Sequence, residues 1–274
     1  MIGIDYEAEY NNRLRVTEYP AILARWQAAA TVARQAAGAE LDQAYGAGER
    51  QRYDLFRAAE PTAALVVFVH GGYWQLGERQ LYSPLAQALT VAGIDVAVPS
   101  YSLCPEVSVM QIVDELRRCL AVLWARTQQR PVVIGHSAGG HLTAALLATD
   151  WRAVPGVPAD LVRAGLAISG VFELAPLLAT SFNAALRLDP ATAAAASPLY
   201  WPPPPRGRTL VAAVGADETR EFHRQSLRLV ESWGGAGVET EYLPVAGRNH
   251  FTILDELTNP GSALFGRVVS LARP

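Results

Sequence analysis

The chain has 274 residues, half of them hydrophobic and 18% charged, which suits one large α/β domain or two small ones and excludes global disorder. Its formal net charge of -3 offers no basic field for nucleic acid or for an anionic membrane surface. No lysine occurs anywhere, so a P-loop lysine, a Schiff-base lysine and a Ser-Lys dyad are all excluded.

Met1-Ile2-Gly3-Ile4-Asp5 has neither a basic n-region nor an apolar h-region, and no apolar run is long enough to span a bilayer. Residues 5–37 carry helical patterning broken at Tyr19-Pro20. The second piece, Ala21 to Ala37, sets Ile22, Trp26 and Ala29 at helical spacing, first as a core face and second as a wall of a substrate entrance. Gly46-Ala47-Gly48 is a turn, and Gln51 to Phe56 alternates like an outer strand. The stretch also begins like a dinucleotide fingerprint, but Gln51 stands in the third glycine position and the match fails.

From there apolar strands are predicted at 64–69, 94–99, 131–134, 162–168 and 210–214, with a further alternating run at 238–243. Helical stretches are predicted between them at 80–91, 108–127, 139–149 and 218–232. Near-continuous apolar strands alternating with amphipathic helices mean α/β architecture, a mostly parallel central sheet with helices on both faces. No linker or internal repeat interrupts it, so residues 1–274 read as a single domain with an N-terminal helical segment over 1–37. Residues 171–206 break the alternation and are expected to form a small cap-like excursion. Cys104 and Cys119 lie in apolar segments outside any C-x-x-C or zinc spacing, which predicts packing roles, no metal and a cytoplasmic location.

The chemistry concentrates at Gly135-His136-Ser137-Ala138-Gly139, a G-x-S-x-G pattern between a predicted strand and a predicted helix. That context is the nucleophile elbow, a strained turn that exposes a serine hydroxyl. A serine hydroxyl needs an adjacent base. Of five histidines, His250 is assigned as the base, because it occupies the loop after the predicted 238–243 strand, where this architecture places working groups. His70 is expected to brace a glycine turn, His136 and His141 to pack around the elbow, and His223 to lie on a surface helix. The acid partner is assigned to Asp217, at the end of a buried strand, with Glu218 and Glu173 as lesser candidates. The order Ser137, Asp217, His250 is that of α/β-hydrolases. The oxyanion site is assigned to the backbone of Gly71, Gly72 and Tyr73, just after the 64–69 strand, together with that of Ala138.

Together these residues resemble the α/β-hydrolase superfamily near its hormone-sensitive-lipase-like esterases, and more closely the kynurenine formamidase (arylformamidase) group. The resemblance is carried by His70-Gly71-Gly72-Tyr73-Trp74-Gln75, by the elbow with His141-Leu142, by the stretch from Asp217 to Ser226, and by Asn249-His250-Phe251. Tyr10-Asn11-Asn12-Arg13 and Ser197-Pro198-Leu199-Tyr200 are similar to bacterial members, while Gly140 departs from the usual alanine. The resemblance implies an α/β-hydrolase fold and a Ser-His-Asp serine hydrolase without cofactor or metal. The expected substrate is a small carboxylic ester, with an N-formyl arylamine such as N-formylkynurenine as the alternative. Trp74, Phe172, Trp201 and Phe251 are the expected substrate-binding side chains, among aromatic and aliphatic neighbours that include Tyr73, Leu177, Leu178 and Phe182. A non-catalytic binding protein on the same fold would show a lost triad member, and none is missing here. No nucleic-acid or membrane partner is expected.

Overall fold

The run Ala64–Val69 contains no polar side chain because both of its faces are covered. A computed structural model, describing residues 3–36 and 38–273, places it as the third strand in chain order, β3, of an eight-stranded sheet. The other strands are β1 (Ala39–Ala44), β2 (Arg52–Phe56), β4 (Ile94–Pro99), β5 (Pro131–His136), β6 (Ala164–Ile168), β7 (Thr209–Gly215) and β8 (Glu239–Val245). Their spatial order is β1-β2-β4-β3-β5-β6-β7-β8. β1 and β2 pair antiparallel, as do β2 and β4; every later pair is parallel. This is the α/β-hydrolase fold, with its working loops at the carboxyl edge of the parallel strands.

The helices are α1 (Tyr6–Tyr10), α2 (Asn12–Arg15), α3 (Tyr19–Ala33), α4 (Ser83–Val91), α5 (Val109–Thr127), α6 (Ala138–Leu147), α7 (Asn183–Leu186), α8 (Pro190–Ala195), α9 (Arg220–Gly235) and α10 (Ala263–Ala272). Strand side chains alternate between two cores. Leu65, Val67 and Val69 of β3 pack with α5, α6 and α9, whereas Val66 and Phe68 face α4 and α10. All ten residues of α6 are buried, which is why its sequence is apolar on every side. α5 has a polar outer face, and Ser108 and Gln111 close a capping box at its start.

The predicted 64–69 and 94–99 strands match the observed bounds, and the other strand and helix stretches differ by a few residues at their ends. Two elements lie outside the sequence expectation. β1 is an edge strand of half-exposed and polar residues without apolar alternation, and α10 is short and carries Gly266 in its middle. Ala37, the predicted end of the second N-terminal helix, lies outside the described residues, as do Met1, Ile2 and Pro274. The 171–206 segment holds α7 and α8, and its Leu174, Leu177, Ala193 and Ala196 join the core around α6. No helix among the described residues is long and apolar enough to cross a membrane.

The amino-terminal segment is tied down across more than two hundred residues of sequence. Tyr10 is fully buried; its hydroxyl donates to Glu221 Oε2 (2.8 Å) and accepts from Gln225 Nε2 (2.8 Å). Thr219 Oγ1 donates to the Glu9 carbonyl (2.7 Å), and the Glu7 carboxylate accepts from Ser181 N and Oγ. These bonds seat α2 and α3 at the carboxyl edge of the sheet. Tyr10→Phe deletes a buried donor and a buried acceptor at once, and is expected to cost about 1–3 kcal/mol in urea unfolding. A parental midpoint would mean that this hydroxyl does not anchor the segment.

Candidate active site

β5 ends at His136 and α6 begins at Ala138, so Ser137 alone makes the turn, with φ 56° and ψ -117°. Such backbone is strained by about 1–3 kcal/mol and persists only when its surroundings dictate it. Here the Ser137 amide donates to the Ile168 carbonyl (2.8 Å), and the Ser137 carbonyl accepts from Gly140 N (2.8 Å) and His141 N (3.2 Å). Gly139 lets the helix approach β3: a Cβ there would lie 2.0 Å from the Val69 carbonyl oxygen. Ser137 is buried from the side of the sheet and faces a cavity it shares with His250.

His250 sits in the loop after β8. Asn249 Oδ1 accepts from the amides of Phe251 and Thr252 (3.0 Å each), which turns the chain sharply around the imidazole. The ring lies between His136 (4.7 Å between centroids), Phe222 (4.7 Å) and Phe251 (5.3 Å). Its Nδ1 meets Glu218 Oε2 at 2.7 Å, and both side chains are almost wholly buried. The other Glu218 oxygen accepts from Ser169 Oγ (2.6 Å) and from Gly215 N (2.7 Å). With Nδ1–H given to the carboxylate, Nε2 is the nitrogen available to accept a proton.

The carboxylate on His250 is therefore Glu218, and the expectation of Asp217 is corrected. Asp217 is exposed, and its backbone N–H donates to the Arg248 carbonyl (3.1 Å). The predicted helix began at Glu218, which made Asp217 look like the last loop carboxylate. In fact α9 begins at Arg220 after the cap residue Thr219, so Glu218 belongs to the loop and turns inward. Glu173, the other lesser candidate, pairs with Arg224 and Arg228 instead. Ser169, which orients Glu218, went unnoticed in the sequence; a polar residue directly after β6 was the available signal.

His136 is a second imidazole on the cavity wall, and its Nε2 lies 2.7 Å from the His250 carbonyl oxygen. Burial, followed by the neighbouring His250 ring, holds it well below the ordinary histidine range, so it is neutral at pH 7 and donates to that carbonyl. His70 braces the glycine loop as expected: its Nδ1 is 2.8 Å from the Gly71 carbonyl, its own carbonyl accepts from Tyr101 OH (2.8 Å), and its ring stacks on Tyr101 at 4.2 Å. Burial lowers it to about 4. His141 has the same low value for the same reason, and its Nε2 holds the Ala196 carbonyl at 2.7 Å. His223 is half-buried against Tyr242.

The loop after β3 runs through three consecutive residues of positive φ: Gly72 (114°), Tyr73 (50°) and Trp74 (56°). Only at Gly72 does the angle call for glycine outright, and a Cβ there would also strike the Leu76 carbonyl. Among the described residues nothing accepts from the amides of Gly71, Gly72, Tyr73 or Ala138. Ala138 is the first residue of α6, where the N–H has no intrahelical partner and the helix end carries partial positive charge. Such amides suit an oxyanion. Tyr73 is fastened by its hydroxyl to the Tyr10 carbonyl (2.6 Å) and stacks on Phe182 at 3.8 Å.

The cavity at Ser137 encloses about 100 Å³ and is walled by rings of Tyr19, Trp26, Tyr73, Tyr82, Phe182 and Phe251. Of the four expected substrate-binding residues Phe251 lies on it, as do Tyr73 and Phe182 among their expected neighbours. Trp74 turns to the opposite side of the loop from Tyr73 and packs edge-on against His141 (4.9 Å). Phe172 is fully buried in the main core. Trp201 donates its indole N–H to the Ala195 carbonyl (2.7 Å), away from the cavity. Their places are taken by the amino-terminal segment, which contributes Asn11, Asn12, Arg13, Tyr19 and Trp26. Trp26 lines the cavity and also packs against the core, so both of its readings apply, while Ile22 is buried. Among the described residues no three His, Cys, Asp or Glu side chains cluster so as to hold a metal ion.

A model of the α/β-hydrolase fold family matches residues 66–254. Kynurenine formamidase of Danio rerio is 27% identical over 227 residues, covering 80% of this chain and 77% of that protein. Kynurenine formamidase of Salmo salar is 29% identical over 238 residues, covering 83% and 80%. The crystal structure of a candidate thioesterase from Silicibacter sp. tm1040 superposes with a TM-score of 0.87 at 31% identity, over 99% of this chain and all of that one.

Glu218→Gln keeps the shape but removes the charge that fixes the His250 tautomer, and is expected to lower kcat on the order of 10⁴-fold, as for the corresponding change in a protease triad. Asp217→Asn should stay within a few-fold of the parent. Steady-state hydrolysis of an activated ester compares the two, and the reverse pattern would reinstate Asp217.

Proposed function

Because the chain belongs to the α/β-hydrolase fold family, we propose that it is a serine hydrolase that removes a small acyl group from an aromatic partner, with N-formyl arylamines as its preferred substrates. That it is a hydrolytic enzyme follows from the family and from the relatives named kynurenine formamidase. The narrower reading rests on one observation above all: a cavity of about 100 Å³ walled by aromatic rings at Ser137 and His250. Such a lining suits an aryl group beside the acyl group that Ser137 receives. The sequence alone ranks simple carboxylic esters first; the aromatic lining of the cavity and the formamidase relatives move the formamide ahead.

In this mechanism His250 Nε2 takes the proton of Ser137 Oγ as the oxygen bonds to the formyl carbon. The amides of Gly72, Tyr73 and Ala138, with Gly71 beside them, receive the oxyanion. His250, held by Glu218, then gives its proton to the arylamine nitrogen as the C–N bond breaks. Water, deprotonated by the same histidine, attacks the formyl-enzyme, which releases formate and restores the serine. The two free cysteines are both buried, and burial raises Cys104 to about 11, so neither is poised as a rival nucleophile. Buried thiols without a disulfide support a reducing, cytoplasmic setting.

Two measurements test the proposal. In a kinetic panel of N-formylkynurenine, formanilide and p-nitrophenyl esters of rising acyl length, kcat/KM is expected to be highest for the formamides and to fall steeply beyond acetyl among the esters. Ser137→Ala should abolish all of it, and preference for long-chain esters would sink the formamide reading. The second is a pH profile of kcat/KM. His70, His136 and His141 are kept neutral by burial near pH 7 and should add no limb there. A limb that vanished on replacing any of these three would show that a further histidine takes part.

A further inference from the structure

The cavity at Ser137 has a neighbour. A second cavity, of about 230 Å³, lies beyond Trp26, Leu81 and Tyr82, three residues that line both spaces and so form the partition between them. α3 and the chain after His250 border both. α3 lends Tyr19 and Trp26 to the first cavity and Arg25, Trp26 and Ala29 to the second; the chain after His250 lends Phe251 to the first and Leu254 and Asp255 to the second. The partition is not uniform. Tyr82 is built into the core, its ring stacked on His70 (5.9 Å between centroids) and packed against Phe68 (5.3 Å). Trp26 is half-buried on a surface helix, 6.2 Å from the Tyr82 ring, and its indole N–H donates a long hydrogen bond to Asp255 Oδ1 (3.4 Å). The other Asp255 oxygen accepts from Arg25 Nη2 (2.8 Å), one residue before Trp26, so the carboxylate pins this turn of α3 with the indole across the partition.

We infer that Trp26 determines how far the substrate's leaving group extends: the indole confines an aryl group to the first cavity, and the second cavity accepts an alkyl extension of that group once the indole is removed. The leaving group is assigned to this end by the proton it must receive. His250 Nε2 gives that proton, so the departing atom lies within hydrogen-bond reach of the imidazole, while the amides after β3 hold the acyl carbonyl. The aryl group then runs from His250 past the rings of Phe251 and Tyr19, 4.4 Å apart, towards Trp26. Beyond the partition the two charged lining residues, Arg25 and Asp255, are paired with each other, and Leu81, Pro84, Leu85 and Leu254 make the lining largely apolar, which suits a hydrocarbon. The inference rests on the proposed reading of an aromatic leaving group, and goes beyond it by naming the residue that selects the length of that group.

The test uses formanilides and phenyl acetates with a para- or meta-alkyl chain, from methyl to hexyl, because lengthening the chain hardly alters the electronic character of the leaving group. In the parent, kcat/KM should stay level or fall as the chain grows. In Trp26→Ala it should rise by about fourfold for each methylene that enters the second cavity, the scale of one buried methylene. Ala29 is exposed on α3 at the rim of that cavity, and Trp26→Ala combined with Ala29→Phe, which fills the space again, should lose the rise. Trp26→Leu keeps an apolar side chain on the helix and should show part of the rise, so the comparison survives an unstable alanine variant. Each ratio of long to short chain is taken within one variant, which removes any general loss of rate. Acyl-length preference, read with p-nitrophenyl esters, should be the same in Trp26→Ala as in the parent. A rise among the phenyl acetates with no cleavage of formanilides would overturn the formamide reading and keep Trp26 as the partition. A parent rate that already climbs with chain length, no rise in the variants at either ring position, a rise that outlives Ala29→Phe, or a change in acyl-length preference alone would overturn the inference.

Discussion

The buried contact between Glu218 and His250 gathers the whole carboxyl edge of the sheet. One carboxylate oxygen meets the imidazole from the loop after β8; the other is held by Ser169 after β6 and by the amide of Gly215 at the end of β7. His250 returns a carbonyl to His136 at the end of β5, and the amide of Ser137 is bonded to β6 through Ile168. Four parallel strands therefore meet in one continuous hydrogen-bonded group. Removing one partner of such a pair strands a buried charge, at a cost of about 3–5 kcal/mol, so the contact disciplines the loops as much as it serves the imidazole.

Around it the backbone is held where an isolated chain would not stay. Ser137 and Ser169 both have positive φ, as do Tyr73 and Trp74, and all four lie at this edge. Each is buttressed: Ser137 by its bonds to Ile168 and Gly140, Ser169 by its amide to the Ala213 carbonyl (2.7 Å), and the Tyr73 loop by Tyr10 and by His70. Strain stored at several adjacent residues is held in place by packing, and among the described residues the nearby amides of Gly71, Gly72, Tyr73 and Ala138 have no acceptor. The neutral, buried histidines His70 and His141 belong to this scaffolding.

The walls of the site come from elsewhere. Tyr10, Glu7 and Glu9 fasten α1 to α9 and to the 171–206 segment, and Asn12, Tyr19 and Trp26, which follow, line the cavity at Ser137. The segment between β6 and β7 was one expected source of substrate contacts, and its contribution to the cavity is the ring of Phe182, which stacks on Tyr73. The polar residues Asn12 and Arg13 and the rings of Tyr19 and Trp26 come from the chain's opening helices.

Local pattern sufficed for the architecture, since apolar runs of strand length and helices of amphipathic period are signals carried within ten or twenty residues. It likewise put Ser137, the glycine loop at 71–73 and His250 each beyond the end of a recognisable strand, which is where the structure has them. What local pattern could not separate was Asp217 from Glu218: two carboxylates side by side, whose roles turn on whether α9 starts at residue 218 or 220. Nor could it bring Asn12, Tyr19 and Trp26 to the cavity at Ser137, or send Trp74, Phe172 and Trp201 away from it. Those outcomes depend on which way a side chain faces once distant segments dock, and the bonds that decide it, Tyr10 to Glu221 and Glu218 to Ser169, join residues 211 and 49 positions apart.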